Sequence, residues 1–182
     1  MISVNKSNIF YRYIPHSICV LVIFLFVNAC GVYSFKDVSI PPEVKSIHIG
    51  FIENRARYVD PQLSPQLTDK LKQKISSQTK LTQIQTEDAD YNVSAYVSAY
   101  DITTAGVSNQ AASINRLTVS VHIALKNRLT DQKLGTPDFE TDISRNFDFP
   151  ASQSFTDAEV NLLPQIIQQL TDDMFNRLFS NW

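Results

Sequence analysis

From Leu117 to Leu125 every second residue is aliphatic: Leu117, Val119, Val121, Ile123 and Leu125 alternate with Thr118, Ser120, His122 and Ala124. Successive side chains of a strand point to opposite faces, so this period of two predicts a half-buried β-strand. Two further runs share the period. Tyr91, Val93, Ala95, Val97 and Ala99 form one, with Tyr96 and Tyr100 on its exposed parity. Phe139, Ile143, Phe147 and Phe149 form the other, opposed by Glu140, Asp142, Ser144, Asn146 and Asp148. Such runs predict antiparallel neighbours with one face buried and one wet.

An earlier strand is predicted where Ile47, Ile49 and Phe51 alternate with Ser46, His48 and Gly50. Asn54 to Asp60 then makes a polar connection that carries Arg55 and Arg57. A helix follows, opened by Asp60-Pro61 or by Ser64-Pro65, since each pair offers an N-cap side chain before a proline of preset φ. Leu67, Leu71 and Ile75 fall four apart on one stripe, with Lys70, Lys72 and Lys74 elsewhere around it. The segment 79–85 adds a short strand if Leu81 and Ile84 both turn inward.

The C-terminal segment from about Phe155 is predicted helical. Thr156 and Glu159 have capping-box spacing, and Val160, Leu163, Ile167, Leu170, Met174 and Leu178 recur at three or four. Pro164 lacks a backbone donor and is expected to kink this helix or split its first turns. The fold class is therefore α+β: a four-stranded sheet, five with the 79–85 segment, mainly antiparallel, with two helices packed on one face.

Upstream of this domain, residues 1–17 hold Lys6 and Arg12 and no acidic residue, and Ile18 to Val27 is unbroken apolar sequence. This is the pattern of a signal peptide, and at the helical rise the apolar run covers roughly 15 Å, about half of a hydrocarbon core. The run stops at Val27-Asn28-Ala29-Cys30-Gly31, which reads as a lipoprotein processing site. The expected organisation is a signal peptide over 1–29, a lipidated tether over 30–43 and one α+β domain over 44–182. Cleavage removes Cys19 and leaves Cys30 as the only cysteine, so no intramolecular disulfide is available. Attachment of a lipid to that thiol removes a reactive liability. Gly31, in the position where sorted lipoproteins with Asp stay in the inner membrane, places the expected site on the periplasmic side of the outer membrane.

Loss of Lys6 and Arg12 makes the processed chain more acidic than the formal −2 of the whole, and no basic nucleic-acid surface is indicated. Catalytic patterns are equally scarce. His48 and His122 lie far apart on polar strand positions, no serine sits in a G-x-S-x-G elbow, and the four glycines build no phosphate loop. Asp88 and Asp90, like Asp172 and Asp173, read as a polar turn and a solvated helix face. No enzyme, metal site or cofactor is expected.

What remains is a binding or assembly surface. Tyr96 and Tyr100 are candidates for a partner contact. Arg55, Arg57, Lys126, Arg128, Lys133 and Arg145 are loop or sheet cations suited either to anionic headgroups or to nearby Asp and Glu.

Four stretches, taken in order, resemble one family: Cys30-Gly31-Val32-Tyr33-Ser34-Phe35, the strand from Ile47 to Ala56, the helix end Gln78-Thr79-Lys80-Leu81, and the ending Phe175 to Trp182 with its terminal Asn-Trp. Together they are similar to the LptE-like lipopolysaccharide-assembly outer-membrane lipoproteins. The resemblance implies a four-stranded sheet covered by two helices, sitting as a plug inside a large β-barrel partner, LptD, and supporting insertion of lipopolysaccharide into the outer leaflet. It supplies no catalytic residue. The implied partners are an LptD-type barrel, lipopolysaccharide and the membrane through the lipid on Cys30. A tethered adaptor for a secretin or a barrel-assembly machine is the alternative reading.

Overall fold

The computed structural model describes residues 40–180 apart from 59, 109–110, 130 and 132. The expected signal peptide, Cys30, most of the tether and the terminal Asn181-Trp182 lie outside the described residues. Eight elements follow in order: β1 (Ser46–Ile49), β2 (Glu53–Asn54), α1 (Leu63–Gln78), β3 (Thr82–Gln83), β4 (Tyr91–Ser108), β5 (Ala111–Asn127), β6 (Phe139–Pro150) and α2 (Phe155–Phe179).

The strands form one six-stranded mixed sheet of order β3-β1-β4-β5-β6, with β2 also paired to β4. This corrects the expectation of four or five mainly antiparallel strands. β4–β5 and β5–β6 are antiparallel as expected, whereas β1–β3, β1–β4 and β2–β4 are parallel. The long alternating runs do have antiparallel neighbours, while every parallel pair involves β1, β2 or β3, strands of two to four residues that are too short for their period to report a neighbour's direction. Here α1 crosses back over the sheet so that β3 returns parallel to β1, as a crossover helix requires. β4 then enters on the other side of β1. Its start is pinned by Asp90, whose Oδ2 accepts from the backbone N–H groups of Lys45 (2.8 Å) and Ser46 (2.9 Å) and from the Ser46 hydroxyl (3.0 Å). Burial alone raises the Asp90 pKa, but these donors outweigh it and hold the carboxyl below its ordinary range.

Two of the sheet's single-residue insertions set which side chains around them face the core. β1 pairs Ile49 with Val93 and β2 pairs Glu53 with Tyr96, so the first segment spends one residue more than β4 over the same span. An extra residue reverses the facing of everything after it. Phe51, expected inward, is therefore 58% exposed and Ile52 is buried in its place. β4 has its own bulge between Val97 and Ala99, with the same consequence downstream.

One apolar core takes the inward residues of the sheet and a stripe from each helix. Leu63, Leu67, Leu71 and Ile75 of α1 and Leu170, Met174 and Leu178 of α2 are buried. Each such side chain contributes roughly 1.5–3 kcal/mol by leaving water. The helices pack on each other and α2 packs on β5 and β6. Lys74 of α1 donates to Asp172 of α2 at 2.6 Å across their seam.

The helix ends differ from expectation in instructive ways. Asp60 Oδ1 accepts from Gln62 N at 2.7 Å, a turn that leads into α1, while Ser64-Pro65 lies within the first turn. A proline there removes an N–H that had no intrahelical partner anyway. α2 is capped by Ser154, whose side chain accepts from Asp157 N, rather than by Thr156. The helix runs unbroken through Pro164. The carbonyl that loses its donor belongs to Val160, which is 71% exposed and open to water rather than part of the core stripe.

Candidate functional site

The sequence candidates fall in three places. Arg55 and Tyr96 meet on the wet face of the sheet, where the Arg55 guanidinium carbon lies 4.3 Å from the Tyr96 ring centroid. Glu53 accepts from Arg55 Nη2 at 2.9 Å, and the Tyr96 ring stacks on the His122 imidazole with centroids 4.9 Å apart. His122 Nδ1 is 3.0 Å from Asp142 Oδ1. Register explains the row, because Glu53 faces Tyr96, Tyr96 faces His122 and His122 faces Asp142 on successive strands. His48, on the same parity reading, is half-buried beside the Ile84 carbonyl at 3.1 Å.

Parallel rungs continue the pattern down β5 and β6. Ser120 and Ser144 hydroxyls are 3.0 Å apart, Thr118 Oγ1 donates to Asn146 Oδ1 at 2.8 Å, and Arg116 binds Asp148 with both oxygens, at 2.7 and 2.8 Å. The outer face of the sheet is thus a hydrogen-bonded polar surface. Exposed pairs of this kind add little stability each.

The second place is an aromatic corner between β4 and α2. Tyr100, expected on the exposed parity, is 2% exposed, because the bulge after Val97 turns it inward. Its hydroxyl donates to Glu159 Oε1 at 2.9 Å, and Tyr58 donates to Oε2 of the same carboxylate at 3.1 Å. The Tyr58 and Tyr100 rings stack at 5.4 Å, with Phe155 edge-on to Tyr58 at 5.5 Å. Burial, then the Glu159 hydrogen bond and charge, drive the Tyr100 pKa far above its ordinary value; the same causes raise Tyr58. Arg57 joins this corner, lining with Tyr58, Tyr100, Asp101, Ile102 and Phe155 a shallow cavity of about 320 Å³. A neighbouring cavity of about 390 Å³ lies on the far side of Tyr58, between Asp60 and Glu159.

Lys126 and Arg128 form the third place, exposed at the end of β5 beside the start of β4, where Lys126 faces Asn92 and Arg128 N donates to Asp90 O at 2.7 Å. The structure therefore brings together Arg55 with Tyr96 and Arg57 with Tyr100, and leaves Lys126 and Arg128 apart from both. Arg145 is committed to Asp173 of α2, with Nη2 donating at 2.6 Å. Sequence reasoning missed Tyr58, Phe155 and Glu159, which have no common spacing, and missed His122 as the centre of the polar row.

Among the described residues no three His, Cys, Asp or Glu side chains are placed to hold a metal ion, and no helix is long and apolar enough to cross a membrane.

The family model described as LptE, lipopolysaccharide-assembly, matches residues 44–178. No curated protein matches the chain. Among solved structures, the hypothetical protein CT253 from Chlamydia trachomatis is similar at 13% identity and a TM-score of 0.52, over 74% of this chain and 95% of that one. The minor lipoprotein from Acinetobacter baumannii is similar at 15% identity and a TM-score of 0.45, over 76% and 99% of the two chains. Rare lipoprotein B from Shewanella oneidensis is similar at 10% identity and a TM-score of 0.41, over 72% and 89%. The first of these shares the fold.

Proposed function

Because the chain belongs to the LptE family of lipopolysaccharide-assembly proteins, we propose that it is an outer-membrane lipoprotein, tethered on the periplasmic side through Cys30, which sits within an LptD-type β-barrel. There it supports the passage of lipopolysaccharide into the outer leaflet. The observation that carries this reading is the extent of the family match, which takes in all six strands, α1 and all of α2 but its last residue.

The fold suits such a place. A plug inside a wide barrel meets a wet wall, since the lumen-facing residues of large barrels are polar. The outer face of the sheet, with its rows from Glu53 to Asp142 and from Arg116 to Asp148, offers hydrogen-bonding groups already held in place. A tether confines the domain to the membrane plane and raises its effective concentration near a barrel. Arg55, Arg57, Lys126 and Arg128 are exposed and are the residues we assign to contacts with the barrel wall or with lipid phosphates, with Tyr96 and Tyr100 shaping the surfaces beside Arg55 and Arg57.

Depletion of the protein tests this role. Cells lacking it are expected to lose surface lipopolysaccharide and to retain it in the periplasm or inner membrane. A depleted strain with an undiminished lipopolysaccharide surface would remove the proposal.

A further inference from the structure

The two ends of the sheet are unequal. At one end β3 offers only two residues, and β4 is interrupted by three register shifts, two of them in its outer half, devices by which proteins blunt an open edge. At the other end β6 runs for twelve residues in unbroken register with β5, from Phe139 opposite Leu125 to Pro150 opposite Ile114. Only its last residue is a proline.

Two hydrogen bonds fix which backbone groups of β6 have no strand partner among the described residues. Ala151 N donates to Ser113 O at 3.2 Å, and these residues continue the β5–β6 register. In an antiparallel ladder such bonded pairs recur at every second residue, so the odd-numbered residues of β6 spend their N–H and C=O on β5. The bond from Arg128 N to Asp90 O gives the same phase from the other side, turning the even residues of β5 toward β4 and the odd ones toward β6. The N–H and C=O groups of Glu140, Asp142, Ser144, Asn146 and Asp148 consequently point away from the sheet. All five residues are exposed.

Side chains along that edge state what lies beside it. On the wet face the edge carries Glu140, Asp142 and Asp148; Arg116 already pairs with Asp148 and His122 lies against Asp142, so the acidic charge open to a neighbour is at the Glu140 end, where a basic group is favoured. On the core face, Phe139 and Ile143 are only partly covered and would be closed off by apolar neighbours. We propose that the free edge of β6 is a strand-addition site, taking an extended segment of the barrel partner with a basic group at the Glu140 end of one face and apolar residues on the other. Main-chain bonds to the five outward residues supply the attachment and the alternating side chains supply the choice of segment. The inference rests on the barrel reading above.

Amide hydrogen exchange tests it, measured on the full-length lipoprotein alone and in the complex captured with its barrel. In the lone protein the amides of residues 140, 142, 144, 146 and 148 should exchange fast while those of 141, 143, 145 and 147 stay protected. In the complex the five fast amides should slow on the order of tenfold or more. Ser144→Pro, which removes one outward donor at an edge position where proline is tolerated, should capture less barrel, whereas Ser144→Ala should capture as much as the unaltered protein. A captured barrel with those amides still fast, or amides already slow in the lone protein, overturns the inference and leaves the barrel reading standing. Capture without any barrel overturns both.

Discussion

Tyr100 on β4 and Glu159 on α2 are joined by a 2.9 Å hydrogen bond from phenol to carboxylate, and through it the bulge in the sheet is locked to the start of the long helix. The same carboxylate holds Tyr58 at 3.1 Å, so one side chain organises an otherwise irregular corner.

Removing the Tyr100 hydroxyl leaves Glu159 Oε1 without its donor, while Tyr58 still holds Oε2. Tyr100→Phe should lower stability by about 1.5–3 kcal/mol, the range for hydrogen bonds to charged groups. Alkaline unfolding carries the same information. A tyrosine whose folded-state pKa is raised contributes stability that is complete below its ordinary value of 10.0 and is lost as pH rises toward the folded value. Unfolding curves in urea should therefore weaken above pH 10 in the unaltered protein, and Tyr100→Phe should flatten that dependence.

Just before the start of β4, Asp90 sets the parallel register by accepting three donors from Lys45 and Ser46. Asp90→Ala should cost about 1–3 kcal/mol by stranding backbone N–H groups. The Asp90 pKa is lowered on folding, so its contribution is present above the ordinary 3.8 and disappears as pH falls through the folded value. Loss of stability between pH 4 and the acid limit, followed by circular dichroism, should be shallower in the variant.

The cap of α2 separates two readings of its first turn. Ser154→Ala should destabilise by about 1 kcal/mol. Thr156→Ala, at the position that spacing alone favours, should change stability by less than about 0.5 kcal/mol. The reverse order in thermal unfolding would contradict the observed cap.

Core and stripe can be told apart in the same way. Leu170→Ala, at a fully buried site, should cost about 2–5 kcal/mol. Val160→Ser should be nearly neutral, because that side chain is 71% exposed despite its helical spacing with Leu163 and Ile167.

Long elements were legible in the sequence because they repeat. The run Leu117 to Leu125 is β5 and buries all five aliphatic residues, and the spacing Leu67, Leu71, Ile75 is the inner stripe of α1. Failures cluster where one residue breaks a repeat. Phe51 and Tyr100 face opposite to their sequence parity because an inserted residue precedes each, and an insertion changes facing without changing composition. β2 and β3, at two residues apiece, are too short to have a period at all. Tyr58, Tyr100, Phe155 and Glu159 come together only through tertiary packing, so no local pattern announces them. The cations were visible, but not their separation into three places: Arg55 on the polar row, Arg57 at the aromatic corner, and Lys126 with Arg128 at the end of β5.

Affinity capture of the full-length lipoprotein from native membranes, with identification of what comes with it, bears most directly on the central claim. A single large outer-membrane β-barrel in near-equal amount is the predicted result. Recovery of the lipoprotein with no barrel, or with a secretin or a barrel-assembly complex instead, would contradict the account.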